Sequence, residues 1–250
     1  MDLPNCERIE LLKVPLDIVP RDNFNEVISG LQNSNEGKNI VLLSLWDLLR
    51  ARRPGEYREY LLNAALVIPI SKSLVWGAKF LTGKTPERYM PFNFIINLLT
   101  VLEQRERTVY LLGAKTSVLN KAEKHIRETF PKLRIIGRYP GGFKKQNEDT
   151  LLQVIRKSAP SLLLVNAGVH TGERWISRNN ARLNNGLRMW CSDIFDVFAE
   201  RRKRPSRLVF ESGLEWVGFC IRNPLKIFRI VEFFYYSILL IVYKLRRKHK

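Results

Sequence analysis

A few short stretches of the 250-residue chain carry side chains whose types and spacing suit chemistry. The stretch "LNAALVIPISKSLVWG" (62–77) reads as a strand passing into a helix through Ile70-Ser71-Lys72-Ser73. In an α/β protein, ligands collect just beyond the carboxyl end of such a strand. This turn has no carboxylate, histidine or glycine. Lys72 and Ser73 can hold an anion on helix N–H groups, although a plain Ser N-cap is the simpler reading. His170 and Glu173, in "VHTGERW", follow another apolar run and are the two side chains there able to accept a proton. Arg88 suits phosphate oxygens, or else pairs with Glu87 or another acid. Asp193 and Asp196 lie one helical turn apart, and a solvated helix start is the plain reading of both. Cys6, Cys191 and Cys220 make neither a CxxC pair nor an even framework. Neither disulfides nor a zinc site is therefore expected, which fits a reducing cytoplasm, and no metal or cofactor is expected.

The elements that must position these residues alternate along the chain. Apolar runs at 39–44, 66–70, 108–113, 133–137 and 161–166 read as strands, with helical stretches between them. In "KTSVLNKAEKHIRETF", Val118, Leu119, Ala122, Ile126 and Phe130 share one face at helical spacing. Strands apolar throughout and alternating with helices predict an α/β fold, with a Rossmann-like, mostly parallel sheet covered on both sides. The region 39–192 should form this one sheet. The turns Ile70–Ser73, Gly113–Lys115 and Gly168–Glu173 should then lie at the same edge.

The charge is uneven. The chain carries +18 overall, and residues 201–250 hold thirteen Lys or Arg against three Glu. A boundary near "ERRKRPSR" divides an α/β domain (1–200) from a basic appendage (201–250). The appendage ends in "IFRIVEFFYYSILLIVYKLRRKHK". Its apolar run is too short to span a bilayer, and Glu232 interrupts it. A helix lying in the interface of an anionic membrane is the expected state; docking on the core is the alternative. Residues 224–250 should be helical, with Ile227, Ile230, Val231, Phe234, Ile238 and Ile241 on one face. Arg222, Lys226, Arg229, Lys244, Arg246 and Arg247 are the cations expected to meet lipid headgroups or a lipid diphosphate. Nucleic acid is not an expected partner, because the aromatics do not alternate with cations as a stacking platform would. The opening "MDLPNCERIELL" lacks the pattern of a secretory signal.

Five stretches in order resemble the WecG/TagA/CpsF family of glycosyltransferases over nearly the whole chain. They are "LNAALVIPISKSLVWGAKFLTGKTPERYMPFN", "VYLLGA", "NAGVHTGERW", "WCSDIFDVFAERRKRPS" and "GLEWVGFCIRNPLKIFRI". The resemblance implies transfer of an N-acetylhexosamine-type sugar from a UDP-sugar to a polyprenyl-diphosphate-linked acceptor. The work would be done peripherally at the cytoplasmic face of the bacterial membrane, in envelope polysaccharide synthesis, alone or in an oligomer or envelope-synthesis complex. It assigns nucleotide-sugar contacts to Arg88, Gly113, Ala114, Gly168, Glu173 and Asp196.

The chain also departs from the family pattern. The family's acid in "PDG", its proposed general base, falls on Ile70, and the following Gly-x-Gly becomes Ser71-Lys72-Ser73. Of "PKQE" only Glu173 remains, and "GVGG" becomes Trp190-Cys191-Ser192-Asp193. Pro91 and Asn93 replace a glycine and an acid after "PER". Three readings stand: a transferase whose base lies elsewhere, at His170 or Glu173; an inactive relative retained as a membrane-bound partner; and a basic α/β protein that binds nucleic acid.

Overall fold

The computed structural model describes residues 5–32, 36–183, 186–204, 206–213 and 229–248. A hairpin opens it: β1 (Glu7–Leu11) pairs antiparallel with β2 (Val14–Ile18). Helix α1 (Phe24–Gln32) follows, then β3 (Gly37–Leu43), α2 (Leu45–Ala51), α3 (Glu56–Leu62), β4 (Leu66–Pro69), α4 (Lys72–Thr82) and α5 (Pro91–Gln104). The second half runs β5 (Thr108–Leu112), α6 (Thr116–Thr129), β6 (Arg134–Tyr139), α7 (Glu148–Ser158), β7 (Leu162–Val165), α8 (Glu173–Arg178), β8 (Gly186–Trp190) and α9 (Ile194–Phe198). Two helices close the described chain, α10 (Arg207–Ser212) and α11 (Arg229–Lys248).

Strands β3 to β8 form one sheet in the order β4-β3-β8-β7-β5-β6, and every pairing is parallel. This is the expected α/β sheet, and with all strands parallel their carboxyl ends share one edge. The side chains alternate with a period of two. Ile40, Leu66, Ile68, Val109, Leu111, Leu162, Leu164, Leu187 and Met189 face a core closed by α1, α5, α6 and α9. Val41, Leu43, Val67, Tyr110, Leu112, Leu163 and Val165 face a second core closed by α2, α3, α4, α7 and α8. Burial on both faces is why these strands read as unbroken apolar runs.

Two elements escape the apolar pattern. The central strand β8 contains Arg188, 4% exposed. Its guanidinium donates to Asn180 Oδ1 and fills the space beside Gly37 on the adjoining strand, where any Cβ would collide with it. The β1–β2 hairpin turns through Leu12 and Lys13, both at positive φ, without the Asn or Gly such turns favour. It is tied to the sheet through the buried Asp17. That carboxylate accepts from Arg8 Nε at 2.7 Å and Nη2 at 2.8 Å, and from the β4 N–H of Val67 at 2.6 Å.

The basic appendage packs back onto this domain. Lys72 Nζ donates to the last carbonyls of α10, Glu211 O at 2.9 Å and Ser212 O at 3.2 Å. Helix α11 lies on α4: Tyr236, 1% exposed, hydrogen-bonds Ser73 O at 3.1 Å and fits over Gly77. The predicted face of α11 is one face, but it points outward. Val231, Phe234, Ile238 and Ile241 are exposed, and Tyr236, Leu239, Leu240 and Tyr243 make the inward face. Ile227 lies outside the described residues.

Candidate active site

At the carboxyl edge, the turns after β5, β6, β7 and β8 are stitched together by their own backbones. Gly113 N donates to Tyr139 O at 2.9 Å, Ala114 N to Ala167 O at 2.6 Å, and Gly142 N to Gly168 O at 2.7 Å. Gly141 N in turn reaches Ala114 O at 2.8 Å. Gly113 must be glycine: at φ 116°, a Cβ would stand 2.5 Å from the Asn166 carbonyl oxygen. Three other edge residues, Ala114, Thr171 and Ser192, hold positive φ without being glycine. Such conformations cost on the order of 1–3 kcal/mol and collect at functional sites. Ser192 thus holds a backbone conformation that glycine favours. The buried Asn166 side chain ties this platform to α9, its Oδ1 accepting from Phe195 N at 3.1 Å. Gly113, Ala114 and Gly168 are therefore brought together as predicted, with Asp196 at the start of the adjoining α9. Asp193 is not simply solvated, since it forms an ion pair with Arg202.

Next to β3 the edge has a different character. Ile70 is half-buried, not fully buried as its apolar type leads one to expect. Its N–H donates to Leu43 O at 2.9 Å, and Ser71 Oγ accepts from Leu45 N at 3.1 Å, so the β3 and β4 turns touch. Arg88 does not pair with Glu87, which instead meets Arg21 at 2.8 Å. Arg88 Nε donates to Ile70 O at 2.8 Å and Nη1 to Phe210 O, while the guanidinium stacks 3.7 Å above the Phe210 ring. Lys72 and Arg88, the two cations of this turn, thus grip the carbonyl end of α10.

Between these two regions lies a group that the sequence reading missed. Asp47, in the first turn of α2, closes a capping box with Ser44. Glu173, at the start of α8, faces the same space and meets Arg50 Nη1 at 3.7 Å. Arg50 in turn stacks 3.8 Å over the Tyr57 ring. Burial pushes the Glu173 carboxyl above the ordinary carboxylate range; the nearby charge of Asp47 adds to this, and Arg50 opposes it. Tyr60 Oη and Trp175 Nε1 are buried nearby in the same core, without a hydrogen-bond partner among the described residues. The signal for Asp47 was readable: Ser-x-x-Asp directly after an apolar strand is a helix-start signature. His170 is exposed in the turn after β7. Of the predicted lipid-facing cations, Lys244 and Arg246 are exposed on α11, Arg229 opens that helix and Arg247 lies in its last turn; Arg222 and Lys226 fall outside the described residues.

The model of the glycosyl transferase WecG/TagA/CpsF family matches residues 9–250. The chain belongs to this family. Relatives within it are named N-acetylglucosaminyldiphosphoundecaprenol N-acetyl-beta-D-mannosaminyltransferase. The chain is similar to the one from Bacillus spizizenii, 23% identical over 192 residues, covering 77% of this chain and 74% of the relative. It is likewise similar to that of Staphylococcus aureus strain MW2, 20% identical over 238 residues, covering 94% and 93%. In this WecG/TagA/CpsF member the parallel sheet and its joined carboxyl-edge turns are present, and the residues in contact at that edge are those just described. Among the described residues, no helix is long and apolar enough to cross a membrane, and no His, Cys, Asp and Glu group could hold a metal ion.

Proposed function

We propose that the protein transfers an N-acetylhexosamine-type sugar from a UDP-sugar to a polyprenyl-diphosphate-linked acceptor at an anionic membrane surface. The observation that carries this reading is Glu173, a largely buried carboxyl at the carboxyl edge whose proton affinity is raised. Such a carboxylate holds a proton more readily than a solvated one, which suits a general base. Glu173 would accept the proton of the acceptor hydroxyl as its oxygen bonds to the anomeric carbon. The bond from that carbon to the β-phosphate oxygen would break, releasing UDP. The joined turns around Gly113, Ala114 and Gly168 would seat the nucleotide, with Asp196 beside them. The relatives' names support the acceptor class. The outward apolar stripe and exposed cations of α11 support work at the lipid surface.

The test is turnover of UDP-N-acetylhexosamines with a lipid-diphosphate-linked N-acetylglucosamine acceptor. Glu173→Gln should lower the rate about 10²-fold or more without abolishing UDP binding, as loss of a general base does. His170→Ala should leave it nearly unchanged. If His170→Ala abolishes turnover instead, the base is His170.

A second reading is favoured by one observation: Ile70 stands where the family carries its acid, and Lys72 and Arg88 donate to carbonyls of the chain itself. On this reading the protein is an inactive member, retained as a membrane-bound partner in envelope-polysaccharide synthesis. Binding of UDP, or of the lipid acceptor, with no turnover by the unmodified protein would establish it.

A further inference from the structure

Apart from Lys72, the outward face of α4 has no role in the site described above, and its composition is unusual for a solvated helix. Lys72, Trp76, Lys79 and Phe80 recur at spacings of four, three and one, which places them along one stripe. Trp76 is 58% exposed and Phe80 42% exposed. The opposite side of the helix, Leu74, Gly77 and Ala78, is buried. Trp76 is therefore not a core residue.

Helix α11 runs alongside α4 in parallel. Tyr236 meets Ser73 and Gly77, Leu240 approaches Gly77, and Lys244 Nζ lies 3.8 Å over the Phe80 ring. At the other end of the stripe, Lys72 Nζ lies 5.3 Å from the Trp76 ring. The exposed aromatics of α4 are thus bracketed by ammonium groups and continue into the exposed face of α11, where Phe234, Ile238, Ile241 and Leu245 are all more than half exposed.

We propose that α4 is a second membrane-docking helix, with Trp76 and Phe80 seated at the headgroup–acyl boundary of an anionic bilayer beside α11. This rests on the membrane reading of α11 given above. Three features select a lipid surface as the occupant. Trp belongs at that boundary, with an apolar ring and a polar N–H. Lys79, exposed beside it, can bury its stem and leave its ammonium group among the headgroup phosphates. The surrounding charge is positive, with Lys72, Lys79, Lys244 and Arg246 on the two helices, which suits anionic lipid and opposes a second copy of the same face. The consequence is positional. Lys72 begins α4 directly after Ile70 and Ser71, so Trp76 lies only about 6 Å along the helix axis from it. Docking through Trp76 holds the Ile70 turn at headgroup level, where the diphosphate of a lipid-linked sugar would lie.

The experiment uses the full chain with vesicles of phosphatidylglycerol and phosphatidylcholine, with pure phosphatidylcholine as the neutral control. Binding is read by co-sedimentation, and depth by quenching of tryptophan emission with brominated acyl chains. Trp76→Ser/Phe80→Ser and, on α11, Phe234→Ser are compared after circular dichroism shows an unchanged fold. The expected result is salt-sensitive binding to the anionic vesicles, weakened about tenfold for each large apolar side chain removed. Trp76→Phe should also remove a distinct quenched component. If Phe234→Ser weakens binding while Trp76→Ser/Phe80→Ser and Trp76→Phe change nothing, α4 does not dock, and the reading of α11 survives. If the unmodified chain does not bind anionic vesicles, both fall. If Trp76→Ser/Phe80→Ser instead dissolves a lipid-independent oligomer, the face belongs to a second copy and the proposal is overturned.

Discussion

Replacing Gly77 with alanine should undock the C-terminal helix while leaving the sheet domain folded. A Cβ at this position would stand 1.8 Å from Tyr236 Oη, 2.9 Å from its Cζ and 3.3 Å from Leu240 Cδ1. The ring cannot simply rotate away, because Tyr236 is 1% exposed and its hydroxyl is held by the Ser73 carbonyl. A buried aromatic covers about 150–250 Å², worth about 4–6 kcal/mol at ~25 cal/mol per Å². The hydrogen bond adds about 1 kcal/mol. Alanine returns about 1 kcal/mol through better helix propensity. The net loss of docking free energy is then about 4–6 kcal/mol as an upper estimate, because the unfolded or undocked helix keeps part of that area covered. Amide exchange should therefore accelerate at least 10²-fold across α11, at about 1.4 kcal/mol per factor of ten. The urea transition of the sheet domain should shift downward, because a helix docked only on the folded domain stabilises it. Tyr236→Phe, which loses only the hydrogen bond, should accelerate exchange about fivefold. Unchanged protection of α11 in Gly77→Ala would refute the claim that Tyr236 over Gly77 is what locks the helix down.

Three other outcomes follow from the same physical chemistry. Burial and Asp47 raise the folded-state affinity of Glu173 for its proton, so ionising it opposes folding. That destabilisation is complete above the folded pKa and is relieved as pH falls through it towards the unfolded value. Glu173→Gln should therefore melt higher than the unmodified protein near pH 8, with the difference shrinking near pH 4, as followed by thermal denaturation. Asp17→Ala leaves the buried Val67 N–H without its acceptor, while the exposed Arg8 can turn to solvent, and should cost about 1–3 kcal/mol in urea denaturation. Arg88→Lys loses the fork that joins Ile70 O to Phe210 O, worth about 1.5–3 kcal/mol, and should loosen α10 and speed limited trypsin cleavage at its exposed Arg207.

The amino-acid sequence alone determined the layered α/β plan. A parallel strand buried on both faces has to be apolar along its whole length, and four such runs are visible between helical patterns; a fifth, at 133–137, is the exposed edge strand β6. β8 was hidden because its central Arg188 is accommodated by Gly37 on a neighbouring strand and by Asn180 in the loop before β8. The hairpin was hidden because Leu12 and Lys13 do not advertise a turn that Asp17 secures from afar. The candidate site divides in the same way. That Ile70 falls where the resembled family pattern has an acid, and Glu173 where it has a glutamate, is a matter of residue type and is legible by eye. The raised proton affinity of Glu173 arises only when folding buries it and α2 brings Asp47 near α8, from 126 positions earlier in the chain. The stripe on α11 was likewise written in its spacing. Periodicity shows that a helix has two faces, but the choice between them belongs to the partner. Gly77 leaves room for a tyrosine ring, so Tyr236 turns inward, and the more continuous apolar stripe is left facing out.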